Sequence, residues 1–430
     1  RLQTICLSKA ASVQRAGRAG RLQAGRCYRL WSSSQQQQLA EYAQPEILQA
    51  DLAPLALQLI HWGIHHPNEL SWLDSPPKGA YQQAIELLHT LGAIHRTHED
   101  EEQIKIHITT HGQAMAQLPA HPRIAHMLLV GKNNGLTHLA CQLAALLTER
   151  DILSHSQHEG GQKEAKEVDI RYRLDLLNNK NNHHKHQAGA IKRIEQQVQQ
   201  FKRLLSGYSA DNKTPEKSHN SSRWMGFLIA CAYPDRIAKQ RSQGNKTTSA
   251  DGQTYLLSNG RAATLSQSDN LGACEYIAVS TLGGQQGDNS DHIYLAAELD
   301  SNLFNHELTH LIQPHNHVEW NNQTERFSAT QEQRLGALII ESKKLSTISD
   351  DDKHNVIFEL IRKRGLELFP WNNAIRQWQA RVQLLRATEL ETNSHTLWPD
   401  VSDTALLETM ENWLGPYIQF IQHINELNVR

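Results

Sequence analysis

A multidomain α+β protein is the fold class this sequence predicts, and three observations predict it. Apolar residues recur at helical spacing from about position 45 to 205, short strand-like runs follow Gly207, and helical patterning returns from Thr347 to Arg430. At roughly 100–200 residues per domain, 430 residues imply two to four domains and rule out a single small module. The 39% hydrophobic and 20% charged content suits a soluble, core-forming chain. The longest apolar runs, such as Leu143 to Leu147, are far below the ~20 residues that cross a bilayer, so no membrane association is expected.

At the start of the chain, Leu2 to Leu7 reads as a buried strand, and Ile5 to Leu7 and Cys27 to Trp31 flank a Gly/Arg segment as two short strands flank a helix and loop. Arg1 opens the chain without the basic-then-apolar layout of a signal peptide, which reads as a fragment entered in mid-domain. Gln35 to Gln38 predicts a polar linker. From Pro45 to Gly63, Ile47, Leu48, Leu52, Leu55, Leu59 and Ile60 recur at helical spacing, with Gly63 as the C-cap residue. A second amphipathic helix is expected over Gly79 to Leu91, ending at Gly92. Ile104, Ile106 and Ile108 alternate with Lys105 and His107 as a half-buried strand does, and Thr110 starts another helix. Helices followed by a small β-hairpin predict a winged helix.

Pro119 to Leu205 is helical by pattern, over Ile124 to Val130, Leu136 to Leu147, Ile170 to Leu177 and Ile191 to Leu205. Polar stretches at Ser154 to Glu167 and Asn178 to Gln187 interrupt it. The second carries His183, His184 and His186, but nothing apolar holds them as metal ligands, so a solvated loop is expected. After Gly207, runs at Phe227 to Ala232, Tyr255 to Leu257, Ala262 to Leu265, Tyr276 to Ser280 and Ile293 to Ala297 predict five short strands. Their spacing fits a small barrel of the OB type. The remaining helical stretch holds Trp371, Trp378, Trp398 and Trp413.

Cys6, Cys27, Cys141, Cys231 and Cys274 lie far apart with no C-x-x-C pair, the usage of reduced thiols in a cytoplasmic protein, with neither disulfides nor a cysteine zinc site. A formal net charge of −2 argues against nucleic acid until the charge is placed along the chain. Residues 1 to 30 hold Arg1, Lys9, Arg15, Arg18, Arg21, Arg26 and Arg29 and no Asp or Glu, which leaves the rest net acidic. The chain opens on an anion-binding signal.

The motif at its centre is Gln14-Arg15-Ala16-Gly17-Arg18-Ala19-Gly20-Arg21. Spacing of three places Arg15, Arg18 and Arg21 near one side of a helical turn, and the glycines let a phosphate or another segment approach. Arginine suits this task because its planar fork stays charged and grips phosphate oxygens through two hydrogen bonds. Arginines placed on a γ-phosphate speed nucleotide hydrolysis by about 10³–10⁵.

This segment resembles motif VI of the DEAH-box RNA helicases, in which two RecA-like domains sandwich ATP. Pro45 to Gly63, Leu73 to Ile94 and Thr110 to Leu129 look like that family's winged helix leading into its ratchet helices. Tyr233 to Arg241 (YPDRIAKQR), Tyr255 to Ala262 (YLLSNGRA) and Trp398 to Tyr417 are similar to the HrpB type within it, whose barrel precedes a C-terminal extension. The resemblance covers essentially the whole chain. It implies five parts: the end of the second RecA-like α/β domain (1–34), winged helix (35–110), helical ratchet bundle (111–207), OB-like barrel (208–346) and truncated helical C-terminal extension (347–430).

Carried over, the family's roles give ATP contacts to Gln14, Arg15, Gly17, Arg18 and Arg21. Gln14 would touch the γ-phosphate and attacking water, Arg18 and Arg21 would be the arginine fingers, and Arg15 would orient the motif against carboxylates. ATP and Mg²⁺ are the implied cofactors, with no other metal. Neither G-x-x-x-x-G-K-[ST] nor Asp-Glu-Ala-His occurs in the sequence, so the Mg²⁺ ligands are expected upstream and this portion alone is expected to be inactive. The implied partner is single-stranded or partly duplex RNA, held by Arg123, Arg236, Lys239, Arg241, Asn259 and Arg261 through phosphates and sugars rather than base edges. His126 stands where related sequences carry a longer basic side chain.

Two other readings compete. His306-Glu307-Leu308-Thr309-His310 matches H-E-x-x-H, the zinc-protease helix, with Glu325 or Glu332 as a third ligand. With 25 histidines, roughly one chain in ten of this composition carries such a match by chance; the expectation is an ordinary helix packed on the barrel. A non-catalytic RNA-binding adaptor would share the accessory modules, but arginine fingers have no use without a nucleotide opposite them.

Overall fold

The computed structural model describes residues 6–100, 103–155, 167–179, 188–208, 221–241, 252–266, 269–284, 291–321, 326–345, 349–366, 369, 371–392 and 398–418. They fall into two compact units, Arg1–Thr254 with Ala263–Asp300, and Tyr255–Ala262 with Ser301–Arg430. Leu2 to Ile5 and the histidines at 183, 184 and 186 lie outside the described residues, as does most of Ser154 to Glu167.

In the first unit, helix α1 (Lys9–Arg18) starts where the Ser8 hydroxyl accepts a hydrogen bond from the Ala11 amide at 3.2 Å. Cys27 to Trp31, expected as a strand, is irregular and almost wholly exposed. Among the described residues no strand pairs with it, and a single extended segment has no partner for its backbone groups. Gln35 to Gln38, expected as a linker, is instead most of helix α2 (Ser33–Gln38). The Ser32 hydroxyl accepts from the Gln35 amide at 3.2 Å while Gln35 Oε1 accepts from the Ser32 amide at 3.0 Å, so a reciprocal cap starts a helix in a polar tract.

Helix α3 (Ala53–His61) follows Asp51, whose carboxylate accepts from the Ala53 amide at 2.9 Å, and buries Ala53, Ala56, Leu57, Leu59 and Ile60. Gly63, at φ +86°, ends it by letting the Ile64 amide reach back to the Leu59 carbonyl. Helix α4 (Lys78–Thr90) packs on α3 through Tyr81, Ala84, Ile85 and Leu88. Strands β1 (Ile94–Asp100) and β2 (Gln103–Ile108) form the expected hairpin, with Ile94 opposite Ile108 and His95 opposite His107.

Five helices follow: α5 (Thr110–Ala116), α6 (Pro122–Asn133), α7 (Thr137–Thr148), α8 (Ile170–Asn178) and α9 (Ala188–Ser206). In α9, Ile191, Ile194, Val198, Phe201 and Leu205 are buried at spacings of three and four, each contributing about 1.5–3 kcal/mol of burial, and α9 packs against α7. The helical pattern expected for this stretch is present.

Phe227 to Ala232, expected as the first barrel strand, belongs to helix α10 (Ser221–Ala232). All six residues are buried, because α10 lies between α6 and the barrel and is covered all round. A short, uniformly apolar run has no period that separates a buried strand from a buried helix. The barrel opens with β3 (Ile237–Gln240) instead, and continues through β4 (Gln253–Leu257), β5 (Ala262–Leu265), β6 (Tyr276–Gly283) and β7 (Asp291–Glu298). It closes in the order β3-β4-β5-β7-β6, with β5 and β7 parallel and β6 antiparallel to both β3 and β7. Register shifts around Thr281 bend β6 as closure requires.

In the second unit, β8 (Gln313–Asn321), β9 (Arg326–Leu335) and β10 (Leu338–Lys344) form an antiparallel sheet in the order β10-β9-β8, separate from the barrel. Helices α11 (Asp350–Arg364), α12 (Asn373–Thr392), α13 (Asp403–Glu408), α14 (Met410–Trp413) and α15 (Gly415–Ile418) complete it. Ile357, Phe358, Ile361, Met410 and Leu414 make its helical core, and Gln379 ties α12 to Val401 and Asp403 at 2.7 Å each. Among the described residues no helix is long and apolar enough to cross a membrane.

Candidate functional site

The arginine motif sits on α1 and the turn after it. Gln14 and Arg18 are four residues apart on the helix, Arg15 and Arg18 three apart, and the helix ends at Arg18. Arg21 therefore lies beyond the helix rather than on its face. Gln14, Arg15, Gly17, Arg18 and Arg21 are all exposed, and a Cβ at Gly17 or Gly20 would meet nothing within 4 Å. Among the described residues no carboxylate pairs with Arg15, Arg18 or Arg21. The N-terminal end of α1 is held instead, by Lys9 paired with Glu41 at 2.8 Å and by the Lys9 and Ala10 amides on the Ala40 and Glu41 carbonyls.

Arg15 and Arg18 stand in the last turn, where the helix dipole is negative. An anion bound there is attracted by the guanidinium groups alone, which directs recognition to the side chains. The first acidic residue in the sequence is Glu41, so the segment suits phosphate oxygens and supplies no ligand for Mg²⁺.

The residues expected to grip RNA separate into distinct settings. Arg123, at the start of α6, is only 8% exposed. Its guanidinium donates to both carboxylate oxygens of Asp235, at 2.5 and 3.0 Å, and to the Ala232 carbonyl at 3.1 Å. It also lies 5.1 Å from the centre of the Tyr233 ring, and Arg236 lies 5.0 Å from that centre. Arg236 donates to the Ser280 carbonyl at 3.0 Å and is 3.7 Å from Asp235. Arg123 is thus a buried tie between α6 and the entry to β3, with no charge turned outward for a phosphate. Beside it His121 meets Asp51 at 3.1 Å, and that hydrogen bond holds the Asp51 carboxyl down at about 2 against the opposing effect of burial.

Lys239 on β3 stands 5.2 Å over the Tyr276 ring and 3.7 Å from Glu275, and Arg241 follows, exposed, with its amide on the Thr254 carbonyl at 3.0 Å. Asn259 and Arg261 are exposed on the turn between β4 and β5, where Asn259 Oδ1 accepts from the Arg261 amide at 3.0 Å. His126 is half-buried, with its Nδ1 2.8 Å from His111 Nε2, and burial pushes the His111 imidazole below its usual range.

Tyr233 and Asp235 organise this region and sequence reasoning gave neither a role. YPDR marks them locally, but their partner Arg123 is 112 positions from Asp235.

The H-E-x-x-H segment is not a helix. Ser301–Asn305 and Thr309–Leu311 are separate 3₁₀ turns joined through a turn at residues 306–308, so His306 and His310 do not share a helical face. Leu303, Phe304 and Leu308 are buried. Glu332 is occupied by Arg334 at 2.6 Å, and Glu325 lies outside the described residues. No group of three or more His, Cys, Asp or Glu among the described residues could hold a metal ion.

The helical array from α6 to α9 falls within residues 121–209, which match the helicase associated domain (HA2), ratchet-like. Residues 311–345, which contain the three-stranded sheet, match the connector region of the ATP-dependent RNA helicase HrpB. The chain is 31% identical over 428 residues to the ATP-dependent RNA helicase HrpB of Escherichia coli, covering 99% of this chain and 46% of that protein. A crystal structure of the E. coli DExH-box NTPase HrpB superposes with a TM-score of 0.61 at 29% identity, over 100% of this chain and 46% of that one. A probable ATP-dependent RNA helicase of Homo sapiens, DHX35, is 32% identical over 151 residues, 35% of this chain and 20% of that protein. The chain belongs to the HrpB-type DEAH-box helicases and spans about half the length of the E. coli relative.

Proposed function

We propose that the chain is the C-terminal portion of a cytoplasmic, ATP-dependent RNA helicase, and that it supplies the arginine fingers for ATP hydrolysis together with modules that grip single-stranded RNA. The observation that carries this reading is the 31% identity to E. coli HrpB over 99% of the chain. In this reading Arg18 and Arg21 reach the γ-phosphate of ATP bound between two RecA-like domains, Gln14 touches the γ-phosphate and attacking water, Gly17 belongs to the same ATP-binding segment, and Arg15 orients the motif against carboxylates. Guanidinium groups that are exposed and, among the described residues, paired with no carboxylate support that assignment, since a finger must be free to leave water for phosphate. Mg²⁺ would be held by residues outside this sequence.

Residues 35–110, which include α3, α4 and the β1–β2 hairpin, form the winged helix. The barrel is an OB fold, supported by its 1-2-3-5-4 strand order and the parallel pairing of its third and fifth strands. Lys239 on its first strand and Arg241 just after that strand, with Arg236 partly committed to Tyr233, and Asn259 and Arg261 on the turn after its second strand, hold RNA through its backbone. Hydrolysis then opens and closes the RecA pair while these modules keep hold of the strand.

RNA-stimulated ATP hydrolysis by the full-length protein, with Arg18→Ala and Arg21→Ala beside the wild type, tests the reading. Each substitution is expected to lower kcat by about 10³ or more with RNA affinity retained. Wild-type turnover in both variants would refute the finger assignment.

A further inference from the structure

We infer that the hairpin turn between β9 and β10 is a positioning element for RNA, because it sets the turn that carries Asn259 and Arg261. The inference rests on the RNA-gripping role proposed for that turn. Leu335 pairs with Leu338, which leaves Gly336 and Ala337 as a two-residue turn. Gly336 takes φ +55°, the left-handed conformation that such turns demand at their first central position. The Ala337 amide donates to the Ser258 carbonyl at 2.8 Å, and the Ala337 methyl lies 3.7 Å from the place a Cβ would take on Gly260.

Gly336 is required twice over. A Cβ there would collide with the Ser258 carbonyl as well as strain the backbone, so only glycine lets this hairpin press against the other turn. Within the turn, the Gly260 amide donates to the Leu257 carbonyl at 2.9 Å, the Leu257 amide to the Arg261 carbonyl at 2.9 Å, and the Arg261 amide to Asn259 Oδ1. Ser258 is buried under the hairpin while Asn259, Gly260 and Arg261 stay in solvent. The hairpin therefore fixes the base of the turn and leaves its polar tip presented. Because a turn held at its base loses less conformational freedom when a strand of RNA binds, the contact acts on affinity without touching RNA.

Binding of a fluorescently labelled oligouridylate to the full-length protein, measured across a salt series with thermal unfolding recorded alongside, tests the inference. Gly336→Val is expected to weaken binding several-fold and to flatten the salt dependence as Arg261→Ala does, by about 0.7 in slope for one phosphate contact. The Gly336→Val, Arg261→Ala double variant is expected to lose less than the product of the two single losses, because part of what Gly336→Val disturbs is the placing of Arg261, whereas loss of general stability would multiply. Wild-type affinity in Gly336→Val beside a weakened Arg261→Ala overturns the inference and leaves the RNA reading standing, as do losses that multiply in the double variant. Unchanged binding in both Asn259→Ala and Arg261→Ala overturns the RNA reading of the turn and the inference with it. If Gly336→Val does not fold, Ala337→Pro, which deletes the amide that meets Ser258, is judged by the same slopes.

Discussion

Arg123 and Arg236 look alike in the sequence and differ in what they can still do. Arg123 spends both ends of its guanidinium on Asp235 and stacks on Tyr233, whereas Arg236 keeps its side chain partly in solvent. Arg123→Ala should cost about 1–3 kcal/mol of stability, because Asp235 loses its bidentate partner but retains solvent access. The salt slope of RNA binding should not change in that variant, and a slope flattened by one phosphate contact would restore Arg123 to the RNA-binding set. His111 carries the second prediction at this scale. Its pKa is lowered by burial, so the unfolded chain binds a proton more readily than the folded one as pH falls below the ordinary value of about 6.5. Stability is complete above that value and declines below it. His111→Gln should flatten the fall in thermal midpoint between about pH 7 and pH 5, and an unaltered pH profile would remove the half-buried pair with His126 as its source.

At the scale of elements, the helices with a clear period were legible and the segments without one were not. Ile191 to Leu205 alternates apolar and polar faces and is a helix in the structure; Phe227 to Ala232 is apolar throughout, and only its neighbours decide its conformation. The strand that opens the barrel, β3, was hidden because its four residues bury only Ile237 and Ala238, too few to show a period of two. The α10 helix then has to fit against a strand end. A Cβ at Gly226 would collide with the Glu298 carbonyl, so Gly226→Val should destabilise the folded chain by about 1–3 kcal/mol. Chemical denaturation with an unchanged midpoint would mean that α10 can retreat from β7.

At the scale of the whole molecule, the sequence lacks a Walker A segment and a DEAH segment and carries the arginine motif, so under the proposed helicase function the phosphate cradle and the Mg²⁺ ligands would come from other residues. The isolated chain should therefore hydrolyse no ATP with or without RNA while still binding single-stranded RNA in a salt-dependent way. RNA-stimulated turnover by the isolated chain would contradict this directly.

What the sequence by itself determined was chemistry and relationship: the Gln14 to Arg21 segment, the order of helical and strand-rich regions, and the resemblance that the 31% identity to E. coli HrpB supports. These are local properties, written in residue types at short spacing. Tertiary structure alone decided that Arg123 is buried with Asp235, that Phe227 to Ala232 is helical, that His306 and His310 share no helix, and that Gly336 meets Ser258. Each of those outcomes depends on groups brought together from distant parts of the chain, and burial, which sets whether a charge is free or a run is helical, is a property of the neighbours a residue acquires only on folding.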